Sequence, residues 1–252
     1  GPAGSGKTTL MADFIAQRPR RIAWLGLGEE DRDPQVFLSY FLESICQAYK
    51  GCCEETRNRL HTFDLNDPQA LCLSLINEVF AFAEPVQVLL DDFHLIHSVE
   101  PIRAFFQVLC RRGPANLTLF LISREVPELP VDWLRSKRLL CELHNDSLRF
   151  SWEETADLLK DIWGLQLDAD LIELIVAKTE GWATAIQLVA QSIRNRPAPE
   201  VRVLIESLNG GDTAIYNYLA SEVLASQPPQ VQEFLKVTSV PEHFNAELAG
   251  EL

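Results

Sequence analysis

The sequence predicts an α/β fold in which helices cover a parallel sheet, followed by a segment that is entirely helical. Up to about residue 150, short apolar runs alternate with helical patterns, and this alternation is typical of parallel βα units. After Phe150 the strand patterns stop and only helical patterns follow. The chain also opens on a glycine-rich loop, Gly1–Thr8, directly before a helical pattern. We therefore predict an α/β domain over residues 1–150 and a change of architecture after it.

Composition and charge restrict the classes of function. Of the 252 residues 47% are hydrophobic, and the formal net charge is −14. A surface this acidic repels phosphate backbones, so we do not expect this chain to hold nucleic acid by itself. No apolar run reaches the roughly 18 residues that a membrane-spanning helix needs. We expect neither a membrane contact nor a secretory leader.

The cysteines favour a protein of the reducing cytosol. None of the six forms a C-x-x-C pair, and most lie in apolar runs. Zinc or a disulfide framework is therefore disfavoured, and we expect buried thiols in a cytoplasmic protein. The six are Cys46, Cys52, Cys53, Cys72, Cys110 and Cys141.

The start of the chain suggests a piece of a longer protein. Gly1 is the first glycine of the loop, and no initiator methionine precedes it. A loop of this kind connects a buried strand to a helix, so we expect a strand before Gly1. Any nucleic-acid function would then lie outside these residues.

Helical and strand patterns can be assigned in order along the first domain. An Asp-Pro pair opens two of the helices, because aspartate caps free N–H groups and proline suits the first helical position. Short apolar runs ending in polar residues predict strands buried on both faces. The predicted helices are Thr8–Gln17, one opened by Asp33-Pro34, one opened by Asp67-Pro68 and ending near Ala83, and Pro101–Arg112. The predicted strands are Arg21–Leu27, Val86–Leu90, Leu117–Ile122 and Leu139–Leu143.

The remainder of the chain is predicted to be helical. Ser151 and Glu154 have the spacing of a capping box, which begins the first of these helices. The helical patterns cover about residues 152–162, 168–180, 182–195, 200–208, 213–226 and 229–238.

The loop Gly1–Thr8 has the residues of a phosphate-binding P-loop. Gly1, Gly4 and Gly6 let the backbone turn sharply and bring N–H groups close to phosphate oxygens. The helix that follows directs its positive end at the same anion. In this pattern Lys7 reaches the β- and γ-phosphates and the Thr8 hydroxyl is a ligand for Mg²⁺. With Ser5 and Thr9 completing the loop, these residues predict binding of ATP or ADP with Mg²⁺; a chance glycine-rich turn is the alternative.

An acidic pair follows the strand Val86–Leu90. Ligands of open α/β sheets bind at the carboxyl ends of the strands. Asp91 would hold the magnesium ion, and Asp92 would orient or deprotonate the attacking water. Without the P-loop, a solvated acidic loop would explain the pair equally well.

Two further polar residues fall near the same predicted edge. Arg124 follows the strand Leu117–Ile122, where a guanidinium can sense the γ-phosphate or stabilise charge during its transfer; an ordinary surface arginine is the alternative. His94 lies three residues past Asp91, but a single histidine is more often structural, so we assign it no catalytic role.

The complete series of motifs resembles one family, the ATPase module of MalT and of the large ATP-binding LuxR-type transcriptional regulators. These regulators belong to the STAND class of P-loop ATPases. The resemblance covers essentially the whole chain, and its most specific parts are Asp-Asp-Phe-His-Leu-Ile and Gly-Trp-Ala-Thr-Ala. It is carried by Gly1–Leu10, Trp24–Leu25, Asp33–Tyr40, Leu89–Ile96, Asn116–Arg124, Leu148–Ser151, Glu154 and Gly181–Leu188.

The resemblance implies a domain plan. Residues 1–150 would be the nucleotide-binding domain, 151–208 a helical lid, and 209–252 the first part of a winged-helix domain. Trp182 occupies the place where the lids of related switch ATPases contact the nucleotide. Many relatives have proline where Ala183 stands, and the alternative role for Trp182 is that of a core aromatic residue.

The resemblance also implies a switch. ADP would hold the protein closed, and a small-molecule or protein inducer acting through other domains would favour an ATP-bound form that self-associates. Slow hydrolysis would reset the switch, and DNA would be bound only by a C-terminal helix-turn-helix outside these residues. The alternatives are a STAND-type scaffold of signalling or defence and a constitutive P-loop ATPase or kinase.

A structural expectation follows from the missing first strand. The family's sheet order places that strand between Leu117–Ile122 and Leu139–Leu143. Unless Leu139–Leu143 closes up, we expect a gap or an unpaired sheet edge there.

Overall fold

The computed structural model of the protein describes residues 3–17, 21–64, 67–194, 196–208 and 227–238, and the single positions 217, 221 and 224. The chain divides between Asn145 and Asp146 into two compact units. No helix among the described residues is long and apolar enough to cross a membrane.

The first unit contains a parallel sheet of three strands, which confirms the predicted α/β class at this level. The order is β1 (Ala23–Gly26), β2 (Val86–Asp91), β3 (Leu117–Leu121). Gly26 pairs with Asp91, and Leu90 pairs with Leu121. Because the strands are parallel and their carboxyl ends lie at nearly the same level, the residues after each strand lie at one edge of the sheet.

Helices of the first unit connect and cover these strands. They are α1 (Lys7–Gln17), α2 (Pro34–Ala48), α3 (Glu54–Asn58), α4 (Gln69–Ala81), α5 (Glu100–Arg112) and α6 (Val131–Ser136), with 3-10 turns at Glu29–Arg32, Leu60–Thr62 and Phe93–Leu95. A further 3-10 turn, Asn145–Leu148, spans the boundary between the two units. The short helix α6 has no counterpart in the predictions.

A cluster of aromatic rings forms the centre of the core against the buried strand β2. Neighbouring centroids lie 5.0–5.9 Å apart, within the range in which aromatic pairs attract. The rings are Phe37, Phe41, Phe93, Phe105 and Phe106, all at most 1% exposed. Phe93 is the residue after Asp92, so its burial anchors the turn at the end of β2.

The two Asp-Pro pairs behave differently. Asp33 caps α2 as predicted, since its Oδ1 accepts hydrogen bonds from the backbone of Gln35 at 2.8 Å and Val36 at 3.1 Å. At the second pair Pro68 itself occupies the cap position of α4, and Asp67 Oδ1 accepts only a 3.4 Å contact from Gln69. The second cap is therefore weaker than the first.

The prediction of a strand at Leu139–Leu143 is wrong. The segment has no regular structure, and Leu139 and Leu143 are 66% and 63% exposed. A strand needs a neighbour for its backbone groups, and no described strand lies beside this segment. Within the described residues β3 pairs only with β2, as the expectation of an unpaired edge requires.

The apolar residues of the first helix, α1, are spaced in the sequence for one buried face, but the structure does not bury that face. No residue of α1 is buried, although Phe14 lies 6.2 Å from Phe120 of β3, measured between ring centroids. A sheet of three strands offers α1 only the outer strand to pack against.

All six cysteines are free thiols, and four of them are buried. This agrees with the expectation of buried thiols for those four, whereas Cys110 is half-buried and Cys141 is exposed.

The second unit is helical, as the sequence predicts. Its helices are α7 (Trp152–Asp157), continued by a π-type turn over Leu158–Ile162, α8 (Ala169–Thr179), α9 (Ala183–Ile193), α10 (Ala198–Ser207) and α11 (Pro229–Thr238). The predicted capping box is present: Ser151 Oγ accepts from Glu154 N at 3.2 Å, and Glu154 Oε2 accepts from Ser151 N at 2.8 Å. Most of the helix predicted over 213–226 lies outside the described residues.

Candidate functional site

The glycine-rich loop turns into α1 through two left-handed residues. Gly4 has φ 70° and Gly6 has φ 84°, conformations that favour glycine. Leu10 N donates to Gly6 O at 2.8 Å, closing the first turn of α1. Ser5 is buried, and its Oγ accepts a hydrogen bond of 3.2 Å from Lys7 Nζ. Gly1 lies outside the described residues.

The end of β2 meets this loop directly. Asp91 is the last residue of β2 and is 9% exposed. Its Oδ2 accepts a hydrogen bond of 2.8 Å from Thr8 Oγ1, across 83 positions of sequence. Its Oδ1 accepts another of 3.0 Å from Asp92 N. The predicted partners Thr8 and Asp91 are therefore in contact.

The turn after Asp91 is fixed to the end of β3. Asp92 is left-handed, with φ 57°, which is uncommon for a non-glycine residue. Phe93 N donates to Ile122 O at 2.8 Å. Two residues beyond Ile122 lies Arg124, so the ends of β2 and β3 bring Asp92 and Arg124 to the same edge.

Charges at this edge act on one another. Burial lowers the pKa of Lys7, and the positive charge of Arg124 lowers it further, whereas the carboxylates of Asp92 and Asp91 oppose the shift. The first unit thus brings together two cationic and two anionic side chains, Lys7, Arg124, Asp91 and Asp92, beside the Thr8 hydroxyl.

Two further predicted residues have the following surroundings. Thr9 is exposed on α1, one residue after Thr8. Trp182 belongs to the second unit, where it is 9% exposed and packs in that unit's core. This packing agrees with the core alternative for Trp182, and its contact with a nucleotide stays a prediction.

The chemistry of the donor set suits magnesium and phosphate. A hydroxyl and a carboxylate 2.8 Å apart are the hard oxygen ligands that Mg²⁺ prefers, and Mg²⁺ usually completes its shell with water and substrate phosphates. The first turn of α1 adds backbone N–H groups and the positive end of the helix dipole. The residues present therefore fit the expected groups.

Sequence reasoning assigned no role to two histidines that line this edge. His94 Nδ1 lies 3.7 Å from Asp92 Oδ1. His97 is buried, accepts a 3.4 Å contact from Glu128 N at its Nδ1, and has its Nε2 3.9 Å from Glu125 Oε2. His97 thereby ties the segment after Arg124 to the turn after β2. Nothing in the spacing of the motif indicates these contacts, which depend on the neighbouring strand.

Comparisons with known proteins match the whole chain. The sequence model of the MalT winged helix domain matches residues 220–252, inside the segment predicted as a winged helix. The chain is 32% identical over 254 residues to serine/threonine-protein kinase PknK of Mycobacterium tuberculosis, covering 100% of this chain and 23% of that protein.

Two transcriptional regulators match with similar strength. HTH-type transcriptional regulator MalT of Vibrio cholerae is 29% identical over 251 residues, and MalT of Yersinia enterocolitica is 31% identical over 253 residues. Each match covers 100% of this chain and 28% of the regulator, so the chain spans about a quarter of the length of these relatives. With the winged-helix match, this similarity over the whole chain supports assignment of the chain to a MalT-like family.

Proposed function

We propose that this chain is the nucleotide-binding switch module of a signal-responsive transcriptional regulator. It binds ATP and ADP with magnesium at the edge formed by α1 and the ends of β2 and β3. The observation that carries the proposal is the 2.8 Å contact between Thr8 Oγ1 and Asp91 Oδ2, beside Lys7. A hydroxyl, a buried carboxylate and a lysine meeting at a helix N-terminus are the parts of a magnesium–phosphate site.

Each side chain has a role in this proposal. The loop N–H groups and Lys7 hold the phosphates, and Thr8 and Asp91 hold the magnesium ion, which neutralises phosphate charge when bound. Asp92 orients the attacking water and accepts its proton. Arg124 stabilises the charge on the phosphate being transferred.

The relatives support a regulatory role for the bound nucleotide. Proteins named as a kinase and as transcriptional regulators share this same stretch of about 250 residues. A segment shared by a kinase and by transcriptional regulators serves a function that both kinds of protein can use. A nucleotide-dependent switch meets that condition. The net charge of −14 repels the phosphate backbone of DNA. In this proposal DNA is therefore bound by a C-terminal helix-turn-helix outside these residues.

A switch requires that the two nucleotides stabilise different states. ATP shifts the equilibrium only as far as its affinity differs between the closed and open states. Slow hydrolysis then returns the module to its ADP state. The inducer, a small molecule or a protein, acts through domains outside these residues, and the ATP-bound form self-associates.

A second candidate is a nucleotide module that serves a protein kinase. The whole-chain similarity to PknK favours it. The sequence flanking residues 1–252 in the parent protein discriminates the two, because a kinase domain there supports this candidate and a helix-turn-helix supports the regulator.

Single-turnover kinetics tests the switch. The chain is loaded with radiolabelled ATP and Mg²⁺, and hydrolysis and ADP release are followed separately. We expect ADP to stay bound after one turnover, with steady-state turnover well below the roughly 1 s⁻¹ that marks the lower end of ordinary enzymes. Rapid steady turnover with free release of ADP would contradict the switch and favour a constitutive ATPase.

A further inference from the structure

Two adjacent cysteines lie together in the turn between α2 and α3, away from the proposed nucleotide site. The Sγ atoms of Cys52 and Cys53 are 3.4 Å apart, close enough for one thiol to donate a hydrogen bond to the other. Both are free thiols, 1% and 0% exposed. In an extended chain neighbouring side chains point to opposite sides, so this short distance depends on the turn, in which Cys53 is left-handed with φ 62°.

The backbone holds both cysteines in place. Cys52 N donates to Tyr49 O at 3.0 Å, and Cys53 O accepts from Arg57 N at 3.0 Å. Cys52 O also accepts a hydrogen bond of 3.3 Å from the Sγ atom of Cys46, near the end of α2. Because these contacts fix the turn on both sides, the two sulfurs are already positioned for a ligand that bonds to both, and little ordering is needed when it binds.

The two thiols differ in acidity. A hydrogen bond from the Cys53 thiol lowers the pKa of Cys52, against the opposing effect of burial. The same hydrogen bond and burial raise the pKa of Cys53. Cys52 is therefore the first of the two to lose its proton, and the thiolate is the form of cysteine that bonds to a ligand.

A disulfide between the two cysteines fits this geometry poorly. The peptide bond between them is trans, which sets adjacent Cα atoms about 3.8 Å apart, whereas disulfides usually join Cα atoms about 4.4–6.8 Å apart. The sulfurs, 3.4 Å apart, would also have to approach to about 2.05 Å. The geometry therefore favours one ligand atom bonded to both sulfurs over a bond between them.

A trivalent arsenic atom has the size and the chemistry for this gap. Two bonds of about 2.3 Å, the length of a zinc–thiolate bond, that meet at nearly a right angle place two sulfurs about 3.3 Å apart. Thiolates are soft ligands and select soft, thiophilic centres. Arsenite is a small neutral molecule at neutral pH, so its entry into a buried site carries no penalty for burying a charge.

The surface over the two cysteines offers a route of entry. The residues on either side, Gly51 and Glu54, are exposed, and a Cβ atom on Gly51 would meet nothing within 4 Å. The helix α3 that follows has five residues, of which only Thr56 is buried. Segments with few buried contacts open locally at a small free energy, so a small neutral molecule can reach the sulfurs without global unfolding.

We propose that Cys52 and Cys53 form a dithiol site for trivalent arsenic of the arsenite class. Arsenite, As(OH)₃, forms one As–S bond to each cysteine. Two As–O bonds break, each of these oxygens leaves as water with the proton of one thiol, and the arsenic stays trivalent throughout. The site does not depend on the proposed nucleotide binding.

Arsenite uptake by the 252-residue chain tests the site. The chain is reduced with a phosphine, dialysed against arsenite, and its bound arsenic is measured. The unaltered chain should bind about one arsenic per chain, since soft thiolates select this atom. Cys52→Ala and Cys53→Ala should bind at least about 100-fold more weakly, because the second bond of a dithiol forms within one molecule and adds about 10²–10⁴ in affinity.

Two other cysteines supply matched controls. Cys72→Ala removes a different buried thiol, and Cys141→Ala removes an exposed one; both variants should bind arsenite as the unaltered chain does. Arsenite should also raise the thermal midpoint of the unaltered chain and not that of Cys52→Ala, because a ligand that binds the folded state more tightly than the unfolded state stabilises it.

X-ray absorption by the bound arsenic tests the site without any substitution. Thermal melts without arsenite show whether each alanine variant folds, and the absorption measurement on the unaltered chain decides the question if one does not. The spectrum should show arsenic bonded to two sulfurs at about 2.3 Å.

Other results would overturn the inference. Equal uptake by the unaltered chain and Cys52→Ala, loss of uptake in Cys72→Ala, or arsenic bonded to a single sulfur would each exclude a dithiol site at this turn. Uptake only by a chain unfolded in urea would show that the folded turn is closed to arsenite. Loss of two hydrogens on treatment with peroxide, without any uptake of arsenic, would indicate a disulfide instead.

Discussion

Gly181 tests whether the turn before α9 is built as the structure describes. Glu180 and Gly181 are both left-handed, with φ 48° and 73°. A Cβ atom on Gly181 would lie 2.5 Å from Phe150 O and 3.0 Å from Phe150 N. Because those atoms belong to the backbone and Phe150 N also donates to Gly181 O at 2.8 Å, the neighbour cannot yield without losing that hydrogen bond. Gly181→Ala should therefore disturb this turn.

Gly164, a matched glycine in the same unit, sets the scale for the destabilisation expected from Gly181→Ala. Gly164 is also left-handed, φ 67°, but a Cβ there meets nothing within 4 Å. At either position the left-handed backbone destabilises the alanine variant by about 1–2 kcal/mol. The reduced conformational freedom of the unfolded chain offsets this destabilisation by about 0.4–1 kcal/mol. At Gly181 the overlap adds about 1–3 kcal/mol. We expect Gly181→Ala to destabilise the turn by about 2–4 kcal/mol and Gly164→Ala by about 1 kcal/mol or less.

Hydrogen exchange measured by mass spectrometry reports this difference locally. Amides of α9 (Ala183–Ile193) exchange through local opening, so their protection gives the free energy of that opening. If the free energies of local opening of the two variants differ by about 2 kcal/mol, the α9 amides of the Gly181 variant should be protected about 30-fold less than those of the Gly164 variant. Equal protection in the two variants would refute the close approach of Gly181 to Phe150.

The remaining predictions concern a cap, a buried thiol and the proposed metal ligand. Asp33→Ala should lower the free energy of unfolding of the first unit by about 1 kcal/mol, and Asp67→Ala by less, because its 3.4 Å contact is weaker; equal losses in urea titrations would contradict this. Burial raises the pKa of Cys46 to about 11, so the folded chain retains a proton that the unfolded chain releases above pH 9. Cys46 thus contributes stability that is present below pH 9 and is lost as the pH rises toward 11. Cys46→Ala should accordingly show a smaller fall in thermal midpoint between pH 8 and pH 10.5; an unchanged fall would count against this burial. Thr8→Val should weaken binding of ATP only when Mg²⁺ is present, whereas Thr118→Val, at an exposed threonine of β3, should bind as the unaltered chain does. An equal loss without Mg²⁺ would remove Thr8 from the metal site.

Features set by local chemistry were predictable from the sequence. The Asp33 cap and the Ser151–Glu154 capping box depend on residues at most three positions apart, so the pattern alone indicates them. Strands β2 and β3 were predictable because each is a short apolar run bounded by polar residues or proline. The contact of Thr8 with Asp91 followed from the rule that parallel strands release ligand-binding residues at one edge.

Features that depend on a neighbouring segment of the fold were not predictable from the sequence. Leu139–Leu143 has the composition of a strand, but a strand forms only where another backbone satisfies its N–H and C=O groups. The periodicity of α1 indicates an apolar face and not whether the sheet is wide enough to cover it. The position of His94 depends on how the turn after β2 is fixed to Ile122, and a single histidine in the sequence carries no sign of that.

Calorimetric titration with ATP and Mg²⁺ tests the central claim most directly. The unaltered chain should bind about one ATP per chain, and Lys137→Ala, at an exposed lysine of the same unit, should bind it equally well. Lys7→Ala should weaken binding by more than about tenfold, because hydrogen bonds to charged groups are worth roughly 1.5–3 kcal/mol. Undiminished binding by the Lys7→Ala chain, or no binding by the unaltered chain, would contradict the assignment of this edge as the nucleotide site.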